Sequence, residues 1–318
     1  MTSYPTIAVS SASFAKNQIL RNELESVFSD CSIIYTELKK DVMSEDELTE
    51  FAKNADYLLV GREILDNSSL EKLPKLKGIS KYGVGLDNLD FNALESYGIK
   101  AEFESGVNSW EVTELAICLM VSSLRKVGLC DRNIHKGIWR KDGGTNLSGK
   151  TVGIIGFGHI GTKVAGVLKA LGCNVLVNDI LDKSKEAKDL GVSISTKEEI
   201  YEKADVITLH TPLTNETRHI ISEQTISKMK DGVTLINTAR GSLIKEIDLI
   251  EALKSGKVLG AGIDVFEKEP LASEELYTLE NFVGTAHIGG SSKEASYKMG
   301  MAAIRGLQRL ILDKFDQE

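Results

Sequence analysis

Proline and cysteine are scarce, with 4 of each in 318 residues. So few prolines beside 28 glycines exclude collagen-like and low-complexity chains, and 42% hydrophobic against 26% charged residues excludes intrinsic disorder. The cysteines, Cys31, Cys118, Cys130 and Cys173, form no CxxC pair and have no histidine at ligand spacing. A disulfide framework and a structural zinc site are therefore not expected, nor is any other metal; core thiols in a reducing compartment are. Long apolar runs are missing too. The best, Leu115 to Val121, is far short of the roughly 18 residues that span a bilayer and suits a buried helix segment. Met1 to Ser13 has neither a basic leader nor an uninterrupted apolar stretch, so no signal peptide and a cytoplasmic location are expected. With 38 basic and 46 acidic side chains, the net charge of -8 disfavours non-specific attraction to nucleic acid or anionic membranes.

What is present is periodicity. The length is about twice that of a usual single-core domain, which predicts two domains. In the first third, Thr6 to Ser10, Ser32 to Tyr35, Tyr57 to Val60, Gly78 to Lys81 and Ile99 to Phe103 read as strands. Between them lie helical patterns at Lys16 to Phe28, after the capping-box spacing Ser44 to Glu47, and at Leu89 to Tyr97. Strict alternation implies parallel strands joined by helical crossovers, an α/β domain. From Val112, the residues Leu115, Ala116, Leu119, Met120, Leu124 and Val127 recur at helical spacing, and a polar, glycine-bearing linker follows from Lys141 to Lys150. A second strand-helix series runs from Thr151 to about Ala286, and a long helix from Lys293 to about Leu312 closes the chain.

The most informative segment is the apolar strand Val152 to Ile155 followed at once by Gly156-Phe157-Gly158-His159-Ile160-Gly161 and a helical pattern through Leu171. Gly156 permits the tight bend, Gly158 lets a pyrophosphate approach the backbone, and Gly161 lets helix and strand pack closely. The helix N-terminus presents free N–H groups and partial positive charge to phosphates. A second strand, Asn174 to Asn178, ends in Asp179, 18 residues beyond the third glycine, where a carboxylate can accept bonds from ribose hydroxyls. A carboxylate there repels a 2'-phosphate, which favours NAD over NADP. The competing reading is a tight turn with no ligand.

Three polar groups follow later apolar strands, at the strand ends where open parallel sheets collect ligands. They are Arg240, the carboxylates Asp264 and Glu269, and His287. A guanidinium can hold a substrate carboxylate by two bonds, a histidine can exchange the carbonyl proton, and a neighbouring carboxylate favours the protonated imidazole. Singly, each also fits a structural role: a salt-bridge arginine, a core histidine, a solvated turn glutamate.

In order and spacing, Thr151 through Asp179, His210 to Thr217, Asn237 to Gly241, Gly262 to Pro270 and His287 to Gly290 make the chain resemble the D-isomer-specific 2-hydroxyacid dehydrogenases over nearly its whole length. The resemblance implies two Rossmann-like domains, a flavodoxin-like substrate domain at 1–105 and 291–318 and an NAD-binding doubly wound parallel sheet at 106–290. It implies that Arg240 binds and polarises the substrate, that Glu269 orients and charges His287, and that His287 is the acid/base. The cofactor residues it implies are Gly156, Gly158, His159, Ile160, Gly161, Asp179, His210, Thr211, Pro212, Thr217, Thr238, Ala239, Arg240, Asp264, His287 and Gly289, with Asp264 on the nicotinamide carboxamide. In the loop Lys81-Tyr82-Gly83-Val84-Gly85-Leu86-Asp87-Asn88, backbone N–H groups are expected to grip the substrate carboxylate, with Lys81, Tyr82, Gly83, Val84 and Gly85 as the candidate residues. Asn108 to Glu114 is similar to the crossing into the helix between domains, and Asn108 is a further expected substrate contact. Thr113 stands where alanine is usual and Ala286 where proline is usual.

Within the family the resemblance is strongest to the phosphoglycerate dehydrogenases, in a short form without a C-terminal regulatory module. Arg62 and Lys81 are candidates for a second anionic group on the substrate, although Arg62 is displaced by one position from the family motif, which keeps glyoxylate, hydroxypyruvate or a sugar-derived 2-keto acid in play. Trp139-Arg140 resembles the arm that reaches a partner subunit, and a homodimer is expected. A rival of another class is a non-catalytic NAD-sensing corepressor of the same fold.

Overall fold

Every second apolar residue along a strand goes to the opposite face, and the structure, a computed structural model, uses both. It describes residues 4–38, 40 and 42–312. Residues 1–3, 39, 41 and 313–318 of the expected substrate domain lie outside the described residues. The chain divides into two units, Met1–Asn108 with Ser292–Glu318, and Ser109–Ser291.

The first unit is built on β1 (Thr6–Val9), β2 (Ser32–Tyr35), β3 (Tyr57–Val60), β4 (Gly78–Lys81) and β5 (Lys100–Glu102), in the order β2-β1-β3-β4-β5. All neighbours are parallel, with Ile7 opposite Tyr57 and Tyr57 opposite Gly78. Ile7, Val9, Tyr57 and Leu59 join one core, with Leu20, Leu24 and the closing helix Lys293–Ile311. Ala8, Leu58 and Val60 join the other, with Leu48, Leu70 and Leu94. The expected helix at Lys16 to Phe28 is two helices, Ala12–Lys16 and Gln18–Val27. Asn17 breaks them because its side chain accepts the N–H groups of Ile19 and Leu20, so it caps the second helix instead of continuing the first.

The second unit has β6 (Thr151–Ile155), β7 (Asn174–Asn178), β8 (Ser193–Ile194), β9 (Val206–Leu209), β10 (Val233–Asn237), β11 (Val258–Ile263) and β12 (Phe282–Gly284). The order is β12-β11-β10-β9-β6-β7-β8, again all parallel. Direction of winding reverses between β6 and β9, which places a crevice at the carboxyl ends of those strands. The α/β architecture with two parallel sheets stands as read from the sequence. The apolar helix is Ser109–Leu124, and it packs Ala116, Leu119, Met120 and Leu124 with Val152, Ile154 and Ile236. It does not continue to Val127 as one helix. Lys126 adopts a left-handed backbone at φ 55, and a separate helix, Val127–His135, follows.

Candidate functional site

The glycine turn lies where β6 enters the crevice. Gly156 has φ 99, and a Cβ there would stand 2.5 Å from the carbonyl carbon and oxygen of His210. A Cβ on Gly161 would collide with the Gly156 carbonyl, so helix His159–Ala170 can approach β6 only through hydrogen atoms. Gly158 is different: nothing lies within 4 Å of where its Cβ would be. It is also the N-cap of that helix without a side-chain cap bond, which leaves the N-terminal N–H groups for a ligand. Asp179 at the end of β7 braces the turn, since its Oδ2 accepts the N–H of Phe157 at 2.7 Å and its Oδ1 that of Leu181 at 3.0 Å.

Two further loops flank the crevice. After β9, His210 pairs through Nε2 with Thr208 Oγ1 at 2.9 Å, while its Nδ1 is buried without a partner among the described residues. Desolvation pushes this imidazole down to about 3, so it is neutral at ordinary pH. Thr217 closes the loop by donating to the carbonyl of Pro212 at 2.8 Å. Thr211 Oγ1 and, after β10, Thr238 Oγ1 are buried with no partner among the described residues. Buried hydroxyls are normally bonded, so these two, the open space over Gly158 and the uncapped helix fit a bound dinucleotide.

Asn237 shapes the segment that carries Arg240: its Oδ1 accepts the N–H of Ala239 at 3.0 Å and its Nδ2 donates to the Arg240 carbonyl at 2.8 Å. After β11, Glu269 folds back so that Oε1 accepts the N–H of Phe266 at 3.2 Å and Oε2 lies 2.7 Å from Nδ1 of His287. With a carboxylate as acceptor, Nδ1 carries the hydrogen, and Nε2 faces away from the pair. His287 has φ 53, a conformation disfavoured for a residue with a Cβ.

Asp264, 1% exposed, holds that conformation. Its carbonyl accepts the His287 N–H at 2.8 Å, and its carboxylate accepts the Thr285 hydroxyl at 2.5 Å, the Ile288 N–H at 2.8 Å and the Gly289 N–H at 2.9 Å. Its carboxylate is thus largely engaged by the turn that carries the histidine, an arrangement invisible in the sequence because Asp264 and Gly289 are 25 residues apart. The Gly289 N–H, in a residue expected to line the cofactor, is taken by this bond.

The expected substrate residues Arg62, Lys81, Tyr82, Gly83, Val84, Gly85 and Asn108 belong to the first unit. Lys81 is 4% exposed and its Nζ donates to the Gly61 carbonyl, which Asn88 Nδ2 also meets at 3.3 Å. One expectation needs correction. The Tyr82 N–H donates to the Val60 carbonyl at 2.9 Å, as the register of a parallel pair requires, so Tyr82 offers no free backbone donor to a carboxylate. Gly83 follows at φ 117, where the chain leaves the strand. Asn108 is buried, and its Oδ1 has no partner among the described residues.

Residues 117–289 match the family model described as D-isomer specific 2-hydroxyacid dehydrogenase, NAD binding domain. The chain is 38% identical over 274 residues to the hydroxypyruvate reductase of Thermotoga maritima, covering 84% of this chain and 89% of that one. The chain belongs to the D-isomer specific 2-hydroxyacid dehydrogenases. It is thus a member of an NAD-dependent oxidoreductase family, as the sequence motifs implied. It is also 38% identical over 268 residues to the D-3-phosphoglycerate dehydrogenase of Archaeoglobus fulgidus, covering 83% of this chain but 51% of that protein; the chain spans about half the length of that dehydrogenase. Among solved structures, a glyoxylate reductase from Paecilomyes thermophila superposes with a TM-score of 0.87 at 28% identity, covering 98% of this chain and 96% of that one. Among the described residues, no helix is long and apolar enough to cross a membrane, and no cluster of three or more His, Cys, Asp or Glu could hold a metal ion.

Proposed function

We propose that this dehydrogenase interconverts a small, unphosphorylated 2-keto acid, of the size of hydroxypyruvate or glyoxylate, and the D-2-hydroxy acid. The observation that carries the reading is the 2.7 Å pairing of His287 Nδ1 with Glu269 beside a dinucleotide crevice. When held at the glycine turn, NAD would supply or accept the hydride. The residues proposed to hold it are Gly156, Gly158, His159, Ile160 and Gly161, with Asp179 at the ribose and Thr211, Pro212, Thr217, Thr238 and Ala239 along the crevice. Asp264 is proposed to keep its remaining acceptor capacity for the carboxamide.

In the reducing direction, Arg240 holds the substrate carboxylate and polarises the carbonyl. Protonated His287 gives the Nε2 proton to the carbonyl oxygen as it gains charge, while Glu269 stabilises the imidazolium until that proton leaves. The loop Gly83-Val84-Gly85 and Asn108 are the proposed contacts for the rest of the substrate. An unphosphorylated substrate is favoured by Lys81, because this cation is buried against the Gly61 carbonyl.

The test is a panel of 2-keto acids with NADH: hydroxypyruvate, its phosphate, glyoxylate and pyruvate. Higher kcat/KM for the phosphorylated compound, lost in Arg62→Ala, would replace this reading with a phosphoglycerate dehydrogenase. Negligible turnover on the whole panel, with NADH-dependent binding of a partner, would replace it with an NAD sensor.

A homodimer is part of the proposal. The helix Val127–His135 has no buried residue, and Val127, Ile134, Ile138 and Trp139 leave apolar surface exposed along the same stretch. Light scattering checks the mass. A cytoplasmic setting fits the four cysteines, which are all free thiols.

A further inference from the structure

Away from the Glu269–His287 pair, a second histidine and two carboxylates form a hydrogen-bonded group of their own. His219 Nε2 lies 2.6 Å from Glu267 Oε1. Glu267 Oε2 accepts the N–H of Glu246 at 3.1 Å, and Glu246 Oε2 accepts the N–H of Glu267 at 2.7 Å. The three residues come from three segments. His219 lies in the loop after β9, Glu246 opens the helix Glu246–Ser255, and Glu267 lies in the loop after β11.

The same segments meet through their backbones. His219 is held at φ 54 with its N–H on the Ser242 carbonyl at 2.8 Å, and a parallel bridge between Ile221 and Ile244 continues the contact. A Cβ on Gly241 would collide with the Phe266 carbonyl, so the backbone beside Arg240 runs against the backbone beside Glu267. Two of the three segments therefore carry groups of the proposed reaction: Arg240 precedes Gly241, and Glu269 follows Glu267 by two residues.

We infer that His219, Glu267 and Glu246 are positioning residues that fix segment 266–269 against segment 240–246, and so set where Glu269 meets His287. The inference rests on the proposed roles of Glu269 and His287. A left-handed non-glycine residue is strained and persists only where its surroundings over-determine it. Here that residue is the histidine of the group. The reciprocal Glu246–Glu267 pairing brings two carboxylates together; burial, and then the charge of Glu267, push the Glu246 carboxyl up, and His219 is the donor facing them. Asp248 also faces this group: its Oδ2 accepts the Glu223 N–H at 2.8 Å, and Lys245 pairs with its other oxygen at 3.0 Å. His219 and Glu267 are each about one-third exposed, so their pairing adds little to global stability. Its effect is on local geometry, where a shift near 1 Å can cost about 100-fold in rate.

The experiment compares His219→Ala, His219→Gln and Glu246→Ala, each alone and with Glu269→Gln. It reads kcat and KM for hydroxypyruvate reduction, the NADH Kd by fluorescence, and thermal denaturation. We expect His219→Ala to lower kcat about 10- to 100-fold with KM and NADH Kd unchanged. His219→Gln keeps a donor for Glu267 and should recover most of the rate. With Glu269 already replaced, His219→Ala should add little. An unchanged kcat, no recovery in His219→Gln, or effects that multiply in the double variant, would overturn the inference. If His219→Ala does not fold, Glu246→Ala, which removes the acceptor of the Glu267 N–H, reads the same fall in kcat. If Glu269→Gln itself leaves kcat near wild type, the proposed dyad fails, whatever the His219 variants do.

Discussion

His287 and Glu269 are 18 residues apart in sequence, yet Nδ1 of one lies 2.7 Å from Oε2 of the other. Two different devices bring them together. Asp264 fixes the left-handed turn of His287 by bonds to residues 285, 287, 288 and 289, and Glu269 is steadied by the Phe266 N–H. The orientation leaves Nε2 facing away from the carboxylate, as the proposed role of general acid requires.

Removing the acid tests the pair directly. His287→Ala should lower kcat about 100- to 10,000-fold while NADH binds nearly as before. Glu269→Gln should cost less, about 10- to 100-fold, since the imidazole keeps its own proton but loses the carboxylate that orients it. Steady-state kinetics with a parallel NADH titration separates the two. Near wild-type turnover in His287→Ala would remove the histidine from the mechanism.

The glycine turn predicts a contrast between two alanines. Gly161→Ala forces a Cβ into the Gly156 carbonyl and should both weaken folding and abolish NADH binding. Gly158→Ala meets nothing within 4 Å among the described residues, so its melting temperature should hold while NADH Kd rises, because the methyl enters the space proposed for the pyrophosphate. Calorimetry and fluorescence titration check both. Equal NADH affinity in Gly158→Ala would place the phosphates elsewhere.

Asp179 should decide between the two nicotinamide dinucleotides. Asp179→Ala removes the proposed ribose acceptor and the brace on Phe157, and charged hydrogen bonds of this kind are worth about 1.5–3 kcal/mol. The KM for NADH should rise about 10- to 100-fold, and discrimination against NADPH should shrink. Parallel assays with the two cofactors read the ratio; an unchanged ratio would exclude Asp179 from specificity.

His210 makes stability depend on pH. Its folded value of about 3 lies below the ordinary 6.5, so the unfolded chain binds the extra proton between these limits. The associated stability is fully present above pH 6.5 and is lost as pH falls toward 3. By about pH 5 the loss should reach roughly 2 kcal/mol. Urea denaturation of the wild type and of His210→Asn at pH 7 and 5 should show a steeper decline for the wild type. Parallel declines would assign the acid sensitivity to other groups.

Strand and glycine patterns made the α/β fold legible, because a strand needs an apolar run and a tight turn needs glycine. Helix ends were less so. Asn17 and Lys126 interrupt apolar patterns that look continuous, one by capping a helix with its side chain and the other by a left-handed backbone. The Tyr82 N–H could not be read as occupied, since its partner, Val60, is fixed by sheet register.

By itself, the sequence determined the two strand-helix series, the glycine turn at Gly156 to Gly161 between a strand and a helix, and the presence of an arginine, a glutamate and a histidine after successive strands. Local residue types suffice for these, because each depends on a few neighbours. The pairing of Glu269 with His287 was expected from the family resemblance, and tertiary structure alone decided that Asp264 clamps the histidine's turn and that His219 reaches Glu267 across 48 residues. Those relations depend on loops from different strands converging at one edge of a parallel sheet, where separation along the chain no longer measures distance.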